Sequence, residues 1–174
     1  YLDPNHAAAG RRRWDIVTTG DPVSLPYPPR VVIIIENRDT SFYFPPVITH
    51  GIAVHGDGTA AIGLITSIRP LVETAGQLFY WGDIDTGGLR IVAALRARGH
   101  DITTICMDTA TYTAYAQFGT NTDEHGRPIP PGNPTPPAEL TNAETDLYQL
   151  LTDPNSPGPR RIEQERISLP DAIR

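Results

Sequence analysis

Val31-Val32-Ile33-Ile34-Ile35 runs straight into Glu36, and Leu78-Phe79-Tyr80-Trp81 runs into Gly82-Asp83-Ile84-Asp85-Thr86-Gly87-Gly88. β-Branched and aromatic side chains suit the pleated surface of a strand. A run that is apolar at every position, rather than at alternate ones, predicts a strand buried on both faces. Each run therefore reads as a central strand that delivers acids at its C-terminal end. Three carboxylates meeting there, Glu36, Asp83 and Asp85, would hold a divalent cation, which points to metal-dependent phosphodiester chemistry.

Working outward, a short irregular or helical piece over Thr40–Phe44 stops at Pro45-Pro46, and Ile48–Val54 reads as a second strand ending in His55-Gly56-Asp57-Gly58. Thr59 reads as the N-cap of a helix carrying Ala61, Leu64, Ile65, Ile68 and Leu71, which Pro70 should end or kink. Gln77–Trp81 is the third strand. Gly87–Arg98 is a helix with Leu89, Val92, Ala93 and Leu95 on its apolar face and Gly99 as its stop. Ile102–Met107 is the fourth strand, ending at Asp108, and a helix follows over Ala110–Phe118. Six prolines between Gly119 and Pro137 mark a long loop. Thr141-Asn142-Ala143-Glu144 is a capping box opening a helix through Leu151, with Ala143, Leu147, Leu150 and Leu151 on one side. This alternation predicts an α/β fold with a mostly parallel, doubly wound central sheet flanked by helices. Function in such sheets sits at the carboxyl ends of the strands.

The 174 residues suggest one domain, with 39% hydrophobic residues to build its core. Residues 1–30, with Pro22, Pro26, Pro28 and Pro29, form a lead-in or linker. Residues 31–174 form the domain that would carry the site, including the loop over 119–138 and a C-terminal helical extension over 139–174. The chain begins at Tyr1 rather than Met and is read as a piece of a longer protein. No apolar run approaches the ~18 residues of a membrane span. The single Cys106 rules out an internal disulfide and fits a reducing cytosol.

All 14 basic residues are arginine. Without lysine the chain supplies no P-loop, no Schiff base and no protein-kinase chemistry. The net charge of −6 argues against a surface coated with base for nucleic acid, yet allows a nuclease, whose metal-binding acids count in that sum. Arg11-Arg12-Arg13, Arg160-Arg161 and Arg166 are either phosphate contacts or a solvated surface.

Each candidate has a plain structural reading beside the functional one. Asp85 is either a metal ligand or the cap of the helix after it, and Asp108 has the same two readings. Glu36, at the edge of an Ile-rich core, needs a partner such as Arg38, or acts as ligand or general base; Asn37 simply turns the chain. Gly56-Asp57-Gly58 is a phosphate-facing turn or an ordinary tight one. His50 and His55 would face opposite sides and make a poor zinc pair. Glu163 and Glu165, near Arg160, Arg161 and Arg166, form a self-paired surface helix or contribute to a second metal site. Tyr112, Tyr115 and Tyr148 read as packing residues.

At Ile35-Glu36-Asn37, Tyr80-Trp81-Gly82-Asp83-Ile84-Asp85-Thr86-Gly87-Gly88, Met107-Asp108 and Glu163-Gln164-Glu165-Arg166-Ile167, the chain resembles the C-terminal Toprim domain of the JetD family, the nuclease subunits of the bacterial Wadjet anti-plasmid system. The resemblance runs from about Val31 to Ile167. It implies a Toprim-like fold that places Glu36, Asp83 and Asp85 around Mg²⁺ or Mn²⁺. It also implies likeness to the A subunit of topoisomerase VI, a DNA-binding N-terminal region absent from this chain, and cleavage of double-stranded circular plasmid DNA in the bacterial cytoplasm. The partners implied are an SMC-type ATPase complex and a second copy in a homodimer. The tyrosine nucleophile of topoisomerase VI lies in the absent part, so hydrolysis by a metal-activated water is the expected mechanism. The alternatives are a non-catalytic Toprim scaffold that docks a partner and an unrelated Asp-x-Asp enzyme such as a nucleotide-sugar transferase.

Overall fold

The computed structural model describes residues 1–16, 24–42, 47–63, 68 and 73–168. The chain divides into two units: Tyr1–Tyr80 with Asp101–Thr103, and Trp81–His100 with Thr104–Arg174.

The first unit is built on the apolar runs. Strands β1 (Val31–Ile35), β2 (Gly51–His55), β3 (Gln77–Trp81) and β4 (Ile102–Thr104) form a parallel sheet in the order β2-β1-β3-β4. β1 and β2 pair in register from Val31 opposite Gly51 to Ile35 opposite His55. β1 lies inside the sheet with a neighbour on each side, and Val32–Ile35 is apolar at every position and fully buried, as in a parallel strand covered on both faces. The expected mixed α/β class with a parallel, Toprim-like sheet is borne out.

Details of the first unit differ from expectation. The second strand begins at Gly51 rather than Ile48, because His50 takes a left-handed backbone (φ 55°) in the turn before it. A Cβ at Gly51 would stand 2.6 Å from that of Ile48, so the turn demands glycine. Thr59 is not a cap but lies inside a 3₁₀ turn, Gly58–Ala60, preceded by Asp57 at φ 54°. Gly56-Asp57-Gly58 is thus a tight turn. Most of the helix expected after it, including Leu64, Ile65, Pro70 and Leu71, lies outside the described residues. Helix α1 (Pro4–Ala8) begins at Asp3, whose carboxylate accepts from the N–H groups of Asn5, His6 and His50. Helix α2 (Arg38–Phe42) follows β1, and Asn37 Oδ1 accepts the Thr40 N–H at its start.

The second unit is helical. Helix α3 (Thr86–Arg96) is followed by Gly99 at φ 86°. Helix α4 (Thr109–Tyr115) continues as a 3₁₀ turn through Phe118, and helix α5 (Asn142–Thr152) contacts both α3 and α4. Leu89, Val92 and Leu95 of α3 and Leu147, Tyr148 and Leu151 of α5 are fully buried. At about 1.5–3 kcal/mol for each large apolar side chain, they dominate this unit's stability. The capping box of α5 is present in full: Glu144 N–H to Thr141 Oγ1, and Thr141 N–H to Glu144. Ala143, expected on the apolar side, is exposed instead, and Glu144 takes a buried place.

β4 stops at Thr104, short of the expected Met107, because Cys106 adopts φ 57°. Burial, with Asp108 second, pushes the Cys106 thiol up to about 11, so it is a packing residue. Arg160–Ile167 is not a surface helix. Arg161 bridges Thr120, Ile162 bridges Ile84, and a 3₁₀ turn spans Gln164–Arg166. Among the described residues no helix is long and apolar enough to cross a membrane.

Candidate functional site

Asp83 and Asp85 stand where β3 hands over to α3. Asp85 is extended (φ −151°, ψ 175°) and its Oδ1 accepts the Gly88 N–H at 2.9 Å, so the cap reading is correct. That contact is also why Gly87 has no side chain: a Cβ there would stand 3.0 Å from Asp85 Oδ1. The cap uses one oxygen. Asp85 Oδ2 accepts from Arg161 Nε at 2.7 Å, and the same Nε lies 3.9 Å from Asp83 Oδ2. Asp83 Oδ1 accepts the Gln164 N–H at 2.8 Å. One arginine therefore bridges both acids of the Asp-x-Asp.

The backbone explains this arrangement. Ile84, between the two acids, pairs with Ile162 through Ile84 N–H to Ile162 C=O (2.9 Å) and Ile162 N–H to Ile84 C=O (3.1 Å). Side chains alternate along an extended segment. With Ile84 and Ile162 both buried, Arg161 is left beside the carboxylates. Thr120 fixes the other edge of the segment through Thr120 N–H to Arg161 C=O and Arg161 N–H to Thr120 C=O. Gln164, fully buried, donates its Nε2 to the Trp81 carbonyl at 2.9 Å. An open cleft of about 630 Å³ lies alongside, lined by Phe118, Thr120, Asp123, Arg161, Glu163 and Arg166, among others.

The remaining candidates are placed as follows. Glu36 lies in the first unit at the end of β1, half-buried, and its Oε2 accepts the Tyr80 hydroxyl at 3.0 Å. Asp108 caps α4, its Oδ1 accepting the Thr111 N–H at 2.7 Å. Glu163 is 3.6 Å from Arg166 and lines the cleft; Glu165 is exposed. Tyr112 and Tyr148 are buried, donating to the Pro159 and Asn133 carbonyls, and Tyr115 donates to Ser168. They pack, as expected.

The carboxylates have the chemistry of a hard-cation site. Their present arrangement does not fit one. Among the described residues no three His, Cys, Asp or Glu side chains are grouped to hold a metal. Both Asp85 oxygens and one of Asp83 already accept hydrogen bonds. A divalent ion about 4 Å from the guanidinium would be repelled by roughly 8 kcal/mol at an effective dielectric of 20. The guanidinium is thus an electrostatic cost to any divalent ion held by these two acids.

Two residues escaped the sequence reading. Arg161 stood there only as part of a basic cluster, and Gln164 only as a spacer between acids. Their pairing with residues 76 to 83 positions away left no local periodicity to read. The one available signal was the Glu163-Gln164-Glu165-Arg166 block, whose informative member is the glutamine. No curated protein matches the chain. The family model described as "Wadjet protein JetD, C-terminal" matches residues 1–174, the whole of the chain, which therefore belongs to the JetD C-terminal family.

Proposed function

We propose that this chain is the Toprim-type endonuclease domain of a JetD-like protein, cutting double-stranded circular DNA in defence against plasmids with Mg²⁺ or Mn²⁺ as cofactor. The family carries a Wadjet JetD-related role. The observation that supports nuclease chemistry best is the Asp83/Asp85 pair, set after a parallel strand and before a helix N-terminus, both oriented by backbone N–H groups. Glu36 is assigned to the same machinery on the resemblance, as ligand or acid–base group. Asp108 is left to its helix, and Glu163 and Glu165 to the cleft. An SMC-type ATPase complex and a second copy of the chain are the partners this reading requires, since two sites related by two-fold symmetry suit the cutting of two strands.

The test is cleavage of supercoiled plasmid by the full-length protein with its partner complex, in Mg²⁺, Mn²⁺ or EDTA. Nicking or linearisation that needs the metal and is abolished by Glu36→Ala and by Asp83→Ala is the expected result. Cleavage that survives both substitutions removes the assigned site. The engagement of both acids by Arg161 favours a second reading, a non-catalytic scaffold. Intact plasmid in every condition, with a stable partner complex, would establish it.

A further inference from the structure

We propose that Arg11, Arg12 and Arg13, with Trp14 beside them, form a contact for the nucleic-acid backbone at the amino end of the first unit's sheet. The choice of nucleic acid among polyanions rests on the nuclease reading. The contact adds where on this unit the substrate is held.

In sequence this run is either a phosphate contact or a solvated surface, and its folded form favours the first. Gly10, at φ 67°, turns the chain back after α1, its N–H reaching the Ala7 carbonyl. Buried His6 donates its Nε2 to the Arg12 carbonyl at 2.8 Å, and the Tyr1 hydroxyl donates to Asp15 Oδ2 at 2.5 Å. The run is thus anchored on both sides of Arg13, over rings of Tyr1, His6 and Tyr27 whose centroids lie within 5.9 Å of one another. All three arginines are exposed nonetheless, and Trp14 is 55% exposed. A backbone already ordered lowers the entropy cost of binding. The local charge favours an anion. Among the described residues neither Arg11 nor Arg13 is ion-paired, and Arg12 meets Asp15 with its side chain 78% exposed, a pair that costs little to exchange. The nearby acids are engaged: Asp15 by Tyr1 and Arg12, Asp3 by the N–H groups of Asn5, His6 and His50. Guanidinium forks match phosphate oxygens, and an indole offers a face on which bases stack.

The position of the run sets what it can do. The Tyr27 hydroxyl and the Leu2 N–H both donate to the carbonyl of Gly51, the first residue of β2, which stands opposite Val31. Glu36 follows the last residue of β1, about 17 Å away at the rise of a five-residue strand. A phosphate held by the run is therefore remote from Glu36, and its loss should weaken binding rather than turnover.

The test is binding of a short DNA duplex to the full-length protein in EDTA, followed by fluorescence anisotropy from about 50 to 200 mM salt. Arg11→Gln/Arg13→Gln breaks no side-chain hydrogen bond or ion pair among the described residues, so it should unfold with the wild type. It is compared with Arg98→Gln/Arg127→Gln, a change of equal charge at two other exposed arginines. The log–log salt dependence of the first variant should be shallower by about 1.8, for two phosphate contacts at about 0.9 each, with binding severalfold weaker. The second should keep the wild-type slope. Trp14→Ala should bind about tenfold more weakly with the slope unchanged, as loss of a stacking face would give. Plasmid cleavage by Arg11→Gln/Arg13→Gln with the partner complex should show a raised KM and the wild-type kcat. Equal slope changes in the two double variants, or none in either, make the run a solvated surface and overturn the proposal. Loss of binding to phosphatidylserine vesicles, with the DNA slope of the wild type retained, assigns the run to a membrane surface and overturns it as well. DNA binding that depends on the run, in a protein that cuts no plasmid under any condition, upholds the contact and removes the nuclease reading.

Discussion

Two of the arginine–carboxylate pairs in the second unit are built from the same chemical groups and differ in their surroundings. Arg96 and Glu144 join α3 to α5 through two parallel hydrogen bonds, with side chains 16% and 3% exposed. The Glu144 carboxylate also accepts from the Thr104 hydroxyl and the Thr141 N–H, and Arg96 donates to the Glu139 carbonyl. Both partners of this pair are thus engaged by further hydrogen bonds, and the Glu144 side chain is buried. Arg161 and Asp85 share one Nε–H bond, with side chains 34% and 12% exposed, beside an open cleft. The comparison teaches that the same two groups can stand in a helix–helix seam or at the wall of an open cleft, and that the access of water, rather than the pair itself, sets what breaking it costs. Breaking a buried pair on one side strands the other charge at about 3–5 kcal/mol, whereas a part-exposed pair releases its arginine to solvent cheaply.

The sharpest way to separate the pairs is to remove one carboxylate charge from each. Asp85→Asn keeps the helix cap, since asparagine caps as well as aspartate, but removes the charge that nuclease chemistry needs. Plasmid cleavage should fall about a thousandfold, with a smaller loss of stability than Glu144→Ala brings, because the Arg161 contact it breaks is part-exposed. Glu144→Ala should do the reverse. Denaturant unfolding should show a loss of about 3–5 kcal/mol, with cleavage per folded molecule preserved. A Glu144→Ala protein as stable as wild type would erase the distinction.

Acid sharpens the same contrast. Burial alone would raise the Glu144 carboxyl, but hydrogen bonds from Arg96, the Thr141 N–H and Thr104, with the Arg96 charge, hold it below its ordinary 4.5. A carboxyl depressed on folding gives stability that is full above its unfolded value and is lost as pH falls through the folded one. Unfolding free energy should therefore drop as pH falls below about 4.5, and part of that drop should vanish in Glu144→Gln. An unchanged acid limb in that variant would show that the clamp is not what acid releases.

The legible parts of this molecule were local. β1 and β3 were readable because consecutive β-branched and aromatic residues leave no exposed face, and α5 because a capping box is a four-residue signal. The Asp-x-Asp was readable as a pair of acids at a strand end, and Asp85 proved to be a cap as well. What stayed hidden was set by distant partners or by single backbone angles. Cys106 at φ 57° shortened β4, the bridge from Ile84 to Ile162 turned an expected helix into an extended segment, and Arg96 drew Glu144 into the core. Glu144 fits both the capping pattern and a buried clamp, and nothing within four residues distinguishes them.

Gln164 tests the scaffold beside the Asp83/Asp85 pair. Its Nε2 bond to Trp81 is fully buried, so Gln164→Ala should cost about 1–3 kcal/mol, read by thermal or urea unfolding. The smallest effect belongs to Asp108. As a plain cap, Asp108→Ala should lower stability by about 1 kcal/mol and leave cleavage untouched. A cleavage defect there would return it to the metal site.

The most direct measurement sets the two pairs side by side: cleavage of supercoiled plasmid by the full-length protein, with its partner complex and Mn²⁺, carrying Asp85→Asn in one sample and Glu144→Gln in the other. The prediction is intact plasmid with the first and wild-type cleavage per folded molecule with the second. Wild-type cleavage by Asp85→Asn would contradict the claim that this aspartate pair is the heart of the site.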